Sequence, residues 1–142
     1  MSTEQWWTSP LESEDGRLIM VTGRADVQRF RENPRFSIRI DITLPYDSRP
    51  DGMPTDAAAE TIETVLENIR AELDKDPVAI LTGIYTGAGE RNMVFYTLST
   101  HIFNKKLNLA LADLPLLPLT ITAENDPDWA EYTEMRSLSE IN

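Results

Sequence analysis

The stretch Phe36-Ser37-Ile38-Arg39-Ile40-Asp41-Ile42-Thr43-Leu44 alternates apolar and polar residues at all nine positions. Successive side chains of a β-strand point to opposite faces of its sheet, so this pattern predicts a strand with one buried face. The five apolar side chains are expected to point into a core. The four polar ones, Ser37, Arg39, Asp41 and Thr43, are expected on the opposite face.

The residues on either side of this strand predict a hairpin and a long helix. Residues 6–8 and 17–22 are short apolar runs, and Asp15-Gly16 between them favours a turn. Downstream, Thr55 or Asp56 is expected to cap a helix. The apolar residues of that helix recur at helical spacing and are Ala58, Ile62, Val65, Leu66, Ile69 and Leu73.

A second hairpin and a second helix are predicted next. Residues 78–85 and 92–98 are apolar runs, and the six residues 86–91 between them form the predicted turn. Ser99 or Thr100 is expected to cap the following helix. Its apolar side is predicted to consist of Ile102, Phe103, Leu107, Ala110, Leu111 and Leu114.

The chain is predicted to close with a strand and a short helix. The last strand is expected at residues 117–122. Asp126 and Pro127 then favour a helix start, with the aspartate as cap and the proline in the first helical position.

From residue 36 onward the predicted order is strand, helix, strand, strand, helix, strand, which is the split βαβ or ferredoxin-like order. Right-handed crossovers place the first and third of these strands centrally in an antiparallel sheet, with both helices on one face. The prediction is one α+β domain, residues 1–142: an N-terminal hairpin (1–24), a βαββαβ core (36–122) and a C-terminal helical segment (126–136). The other sheet face is expected to be either open to water or shielded by the hairpin and the Trp129 segment.

The charge of the chain restricts its partners. Twenty-four acidic residues against 13 basic ones give a net charge of −11. Direct nucleic-acid binding is disfavoured, because it requires basic residues to neutralise phosphates, whereas a basic protein surface would be attracted. The sequence contains no cysteine, no apolar run that approaches the ~20 residues of a membrane span and no signal-peptide pattern. A cytoplasmic location without membrane contact is therefore expected.

No catalytic, cofactor or metal site is predicted. His101 is the only histidine and has no visible nucleophile partner. Gly87-Ala88-Gly89 precedes a predicted strand, so the helix N-terminus that would hold a phosphate is missing. Glu124, Asp126 and Asp128 alternate as calcium ligands can, but Trp129 stands where a calcium-binding EF-hand loop requires glycine.

One face of the first long helix carries carboxylates at helical spacing. Asp56, Glu60, Glu63 and Glu67, here called the acidic stripe, lie opposite the apolar residues, and Asp74 continues the row. Like charges at this spacing repel by about 0.2–0.5 kcal/mol per pair, so helix stability alone would not favour them. The stripe is interpreted either as the solvated face of an acidic protein or as a surface for a basic partner.

Three parts of the sequence together resemble a known family. They are Trp6 at the start of the first hairpin, the turn Arg49-Pro50-Asp51-Gly52 before the long helix, and the closing residues 126–132, Asp-Pro-Asp-Trp-Ala-Glu-Tyr. The chain resembles, over nearly its whole length, the bacterial domain-of-unknown-function family six hundred and ninety-five. That family is similar in presumed fold to regulator of ribonuclease activity B, a class of small acidic ribonuclease inhibitors. The resemblance implies a ferredoxin-like domain without established catalytic activity.

Three functional hypotheses follow from these observations. The favoured one is a non-catalytic regulator or inhibitor that binds a basic protein through the acidic stripe. The second is an immunity-type protein that neutralises a basic toxin by the same physics. The third is a small-ligand binder or enzyme that uses Arg39, Asp41 and Tyr85 on the sheet face, for which a deep pocket would be the discriminating observation. The sequence makes no prediction of oligomeric state.

Overall fold

The structure is a computed structural model that describes residues 4–138, so the outermost residues of the predicted domain, 1–3 and 139–142, lie outside the described residues. Six strands and four helices make up the described part. The strands are β1 (Trp6–Glu12), β2 (Leu18–Arg24), β3 (Ile38–Pro45), β4 (Ala79–Gly87), β5 (Glu90–Thr97) and β6 (Thr120–Asn125). The helices are α1 (Gln28–Arg31), α2 (Asp56–Asp74), α3 (Thr100–Leu111) and α4 (Ala130–Ser137).

All six strands form one sheet in the order β1-β2-β4-β5-β3-β6, and every neighbouring pair is antiparallel. The predicted α+β class is confirmed. As predicted, β3 lies between β5 and β6, with Ile40 opposite Phe95 on one side and Ala123 on the other. The N-terminal hairpin extends the sheet beyond β4, because β2 pairs with that strand.

The larger hydrophobic cluster lies on the face that α2 and α3 cover. Ile40 and Ile42 of β3 are completely buried there, as the alternation predicts. Both helices begin at capped residues: the Thr55 hydroxyl accepts a hydrogen bond from the Ala58 amide, and the Ser99 hydroxyl accepts one from the Ile102 amide, each at 3.2 Å. These side chains satisfy amides that the first helical turn leaves unpaired.

A second hydrophobic cluster covers part of the opposite sheet face. It packs Trp129, Tyr132 and Met135, at the start of and within α4, against residues of the sheet that include Val94 and Tyr96 of β5. Of the two alternatives for this face, partial shielding by the Trp129 segment is the one observed. Strand β5 is therefore buried on both faces, with five consecutive buried residues from Met93 to Thr97.

The prediction for Phe36 is wrong in direction. Phe36 is buried, but it belongs to the second cluster and makes an edge-to-face contact with Phe30, with ring centroids 5.3 Å apart. Strand β3 begins only at Ile38, so Phe36 does not follow the alternation of the strand. Phe36 instead closes a turn, because its amide donates to the Asn33 carbonyl at 3.0 Å.

The predicted length of the β4–β5 loop and the predicted start of the last strand are both wrong. The β4–β5 loop is two residues long, not six, because Ala88 (φ 52°) and Gly89 (φ 83°) both adopt the positive φ of a type I′ turn. Strand β6 begins at Thr120 rather than at residue 117. Pro118 has no amide to pair, and the Leu119 amide bonds to the Leu117 carbonyl at 2.9 Å, so the chain joins the sheet only after them.

The predicted start of the last helix is also wrong. Helix α4 begins at Ala130, and Pro127 is not in its first turn. The Trp129 amide bonds to the Asp126 carbonyl at 3.0 Å, and Trp129 itself is left-handed with φ 54°, which keeps the chain out of the helix until the next residue. Asp126 still caps α4 from outside, since its carboxylate accepts from the Ala130 amide at 2.8 Å and the Glu131 amide at 3.2 Å.

Candidate functional site

A polar pocket of about 430 Å³ lies on the sheet face opposite α2 and α3. We call it the sheet-face pocket. Its polar lining comes from three central strands and from α4, and its principal members are Arg39, Asp41, Thr43, Tyr85, Asn92 and Glu131. The strand alternation explains the first three, because odd-numbered residues of β3 point away from the helix-side core. Helix α4 supplies the remaining wall.

Glu131 is the most buried carboxylate of the pocket to lack a full set of hydrogen bonds. Its Oε1 accepts a hydrogen bond of 2.8 Å from the Tyr85 hydroxyl, whereas its buried Oε2 has no hydrogen-bond partner within the described part of the chain. Burial raises the pKa of Glu131, Asp41 and Asp126 raise it further, and the Tyr85 hydrogen bond and Arg39 offset only part of this effect. The pKa of Tyr85 is also raised, by burial first and then by the charge of Glu131.

Arg39, the basic residue of the pocket, forms ion pairs with several carboxylates. Arg39 donates to Asp41 at 3.1 Å and to Glu124 at 2.9 Å, and its guanidinium lies 3.9 Å from Asp126. Burial acts to lower the pKa of Arg39, but Asp41 and Glu124 outweigh it and the pKa is raised. Arg39 is thus firmly charged and already neutralised by its neighbours.

The pocket offers acids and hydrogen-bond partners rather than a nucleophile with its base. Beside the charged groups, the Thr43 hydroxyl donates to the Asn92 side-chain oxygen at 2.5 Å. No group of three or more histidine and carboxylate side chains among residues 4–138 is arranged to hold a metal ion. The single histidine, His101, is exposed in the first turn of α3 and does not line the pocket. Chemically, this arrangement is suited to holding a polar ligand.

The acidic stripe lies on the other side of the molecule, on the outer face of α2. All four of its carboxylates are exposed. Within the described residues one of them has an ion-pair partner: Glu63, which receives the Arg91 guanidinium at 3.1 Å. The stripe and the sheet-face pocket are therefore two separate surfaces, with the sheet between them.

An apolar groove adjoins the stripe. It runs between the start of α2 and the loop of residues 114–119, as two neighbouring pockets of about 390 Å³ and 300 Å³ that share Thr61 and Leu117. Glu60 lines the second of these pockets. Leu116, next to the groove, is fully exposed, at 101% relative accessibility. Carboxylates and an exposed apolar surface thus meet at one end of α2.

The structure brings the three sheet-face residues named from the sequence, Arg39, Asp41 and Tyr85, into one pocket. Sequence reasoning missed Glu131, which is 46 residues from its partner Tyr85. An acidic residue in the first turn of a helix is ordinary, because it complements the helix dipole, so no local signal marks it. The groove was missed as well, because Leu117 and Pro118, which line it, are predicted from the sequence to belong to the last strand.

Comparisons with known proteins identify a family but no characterised relative. A family described as "Family of unknown function (DUF695)" matches residues 5–135 of this chain. No curated protein and no solved structure matches the chain. Among the helices of residues 4–138, none combines the length and the apolar character needed to cross a bilayer.

Proposed function

We propose that this chain, which belongs to the family of unknown function DUF695, is a non-catalytic regulatory module of the cytoplasm. It binds a basic protein through the acidic stripe and the adjoining groove. We also propose that its core has the ferredoxin-like arrangement. The strand order β6-β3-β5-β4 and the position of α2 and α3 on one face support that reading. The similarity to regulator of ribonuclease activity B stays a prediction.

One observation carries the functional proposal: exposed carboxylates lie directly beside an exposed apolar groove. Protein interfaces typically combine an apolar centre with a polar rim, and a large apolar patch on a monomer marks an interaction site. Here Leu117 and Pro118 line the groove and Glu60 stands at its edge. The complementary partner is a protein segment with an apolar side chain for the groove and Lys or Arg for the stripe.

The charge of the whole chain favours the same partner. A net charge of −11 attracts a basic protein over long distances, and such steering acts mainly on the association rate. Only Glu63 of the stripe carries an internal ion pair among the described residues, so the other three carboxylates need not break one in order to bind. Contacts made by the groove would act mainly on the dissociation rate.

The test uses variants of the full chain, with capture from native lysate followed by kinetics with the purified partner. Replacing Glu60, Glu63 and Glu67 with Gln should slow association and weaken its salt dependence. The control is Glu12→Gln, Glu14→Gln and Asp128→Asn, which removes the same charge from exposed positions outside the stripe. Leu116→Ser, which removes the fully exposed apolar side chain next to the groove, should instead speed dissociation. Equal association rates for the stripe and control variants at two salt concentrations would overturn the proposal.

An immunity-type role is the second candidate, because a basic toxin would fit the same surface. The two roles differ in the partner alone, so the gene neighbourhood distinguishes them: a toxin gene beside this one favours immunity. In that case, the purified toxin replaces the regulator target in the kinetic comparison above, with the same stripe and control variants.

A further inference from the structure

We infer that the sheet-face pocket binds a small organic cation, whose ammonium or guanidinium group is received by Glu131 and Asp41. This pocket is on the opposite side of the sheet from the stripe and the groove. The inference therefore does not depend on whether those surfaces bind a protein. Neither the family match nor any catalytic motif assigns a ligand to it.

The balance of charges decides the sign of the ligand. Asp41, Glu90 and Glu131 line the pocket, against Arg39 as its one basic residue. That guanidinium already has Asp41 and Glu124 within hydrogen-bonding distance. An anion would therefore meet a neutralised guanidinium surrounded by carboxylates, whereas a cation would meet carboxylate charge that the protein itself does not balance.

The unpartnered oxygen of Glu131 indicates where the cation belongs. Buried polar atoms normally have hydrogen-bond partners, and a buried acceptor without one calls for an explanation. Tyr85 holds Oε1 of Glu131, and among the described residues nothing donates to the buried Oε2. An ammonium or guanidinium group beside this carboxylate would supply the missing hydrogen-bond donor together with a positive charge. Asp41 would provide a second acceptor from the neighbouring wall of the same pocket.

The size and walls of the pocket set the class of molecule. A volume of about 430 Å³ falls within the range of pockets for small ligands. Ile19 and Val94 add apolar surface to the lining, next to the polar groups. This combination suits a short methylene chain that ends in a cationic nitrogen. Two sources share that chemistry: a free polyamine, or a lysine or arginine side chain of another protein.

The experiment is isothermal titration calorimetry of the full chain with defined probes. Putrescine and agmatine represent the free amines, blocked lysine and arginine amides represent protein side chains, and glutarate is the anionic control. Saturable binding of either cationic set, with none of glutarate, supports the inference, and the tighter set identifies the source. Binding of glutarate alone, or of no probe up to millimolar concentration, overturns it.

Substitutions then locate the bound cation. Glu131→Gln and Asp41→Asn should each weaken binding of the tighter probe at least tenfold, whereas Glu14→Gln, at an exposed position in the first hairpin turn, should not change it. Thermal unfolding of each variant checks that it is folded before titration. If both pocket variants are folded and bind as the parent does, the cation is elsewhere and the inference fails.

Discussion

The indole ring of Trp129 stacks on the phenol ring of Tyr96, with ring centroids 4.1 Å apart and planes inclined by 13°. The same indole donates a 2.7 Å hydrogen bond to the Phe36 carbonyl, and the Tyr96 hydroxyl donates one of 2.7 Å to Asp126. Two distant segments, the turn at Phe36 and residues 126–129, are thereby fixed to β5 at the centre of the sheet. This contact also positions α4, and with it Glu131 in the sheet-face pocket.

Trp129→Ala should reduce the free energy of unfolding by about 3–5 kcal/mol, as expected when a buried Trp is truncated. Trp129 has φ 54°, a left-handed conformation that glycine adopts without strain. Trp129→Gly should therefore be less destabilising than Trp129→Ala, by about 1 kcal/mol. Urea unfolding of both variants measures the order. The alanine variant being the more stable would show that the left-handed backbone is not kept after truncation.

Ile40→Ala should reduce the free energy of unfolding by about 2–5 kcal/mol. Ile40 is completely buried in the cluster between the sheet and α2 and α3, so truncation costs both apolar transfer and a cavity. Chemical denaturation gives the value directly. A loss below about 1 kcal/mol would contradict a central place for this side chain.

Gly83→Ala should loosen α4 from β4. A Cβ at Gly83 would lie 2.5 Å from the Met135 sulfur, so either the methionine or the helix must move. Such overpacking costs about 1–3 kcal/mol. Met135→Ala removes the obstructing atom, so the double variant should lose less stability than the two single variants combined. Strict additivity in a double-mutant cycle would mean that these two positions do not touch.

Asp126→Asn should destabilise the protein at neutral pH, and the difference should disappear in acid. Burial acts to raise the pKa of Asp126, but hydrogen bonds from Tyr96, Ala130 and Glu131, together with Arg39, lower it below its usual value. A carboxyl with a lowered folded-state pKa contributes stability above its unfolded pKa of about 3.9, and this is lost as pH falls through the folded value. Unfolding curves at several pH values test this, and a constant difference would refute it.

Glu131→Gln should show the opposite pH dependence. The pKa of Glu131 is raised, by burial first and then by Asp41 and Asp126. Its contribution to stability is therefore present below the unfolded pKa of about 4.3 and is lost as pH rises through the folded value. The stability of the variant relative to the parent should rise with pH over that window. A relative stability that falls with pH would show that the carboxylate is compensated in the folded protein.

The fold could be predicted where local patterns and tertiary structure agree. Strand β3 has one face in the helix-side core and the other on the polar sheet face, so apolar and polar residues alternate visibly along it. Helix α2 combines a capping threonine with regular apolar spacing. All six residues of β6 are exposed, so no buried face marks the strand. The apolar residues Leu117 and Leu119 pack against the helix-side cluster although they precede the strand. The strand was therefore placed three residues too early.

The candidate site could be predicted only in part, because it forms between distant elements. Arg39 and Asp41 were found from the strand pattern, since they point away from the core face of β3. Glu131 depends on how α4 packs over the sheet, and that packing is set by the left-handed Trp129, whose conformation nothing in the sequence announces. A bulky residue in that conformation is unusual and is kept by the surrounding contacts.

The second hydrophobic cluster has a consequence for synthesis on the ribosome. Its sheet residues Val94 and Tyr96 are made well before Trp129, Tyr132 and Met135, which complete the cluster. The chain emerges from its N-terminus, so an apolar sheet face stays uncovered until these last residues appear. During that interval the nascent chain presents exposed apolar surface of the kind that chaperones protect, and the sheet-face pocket cannot form until translation has passed α4.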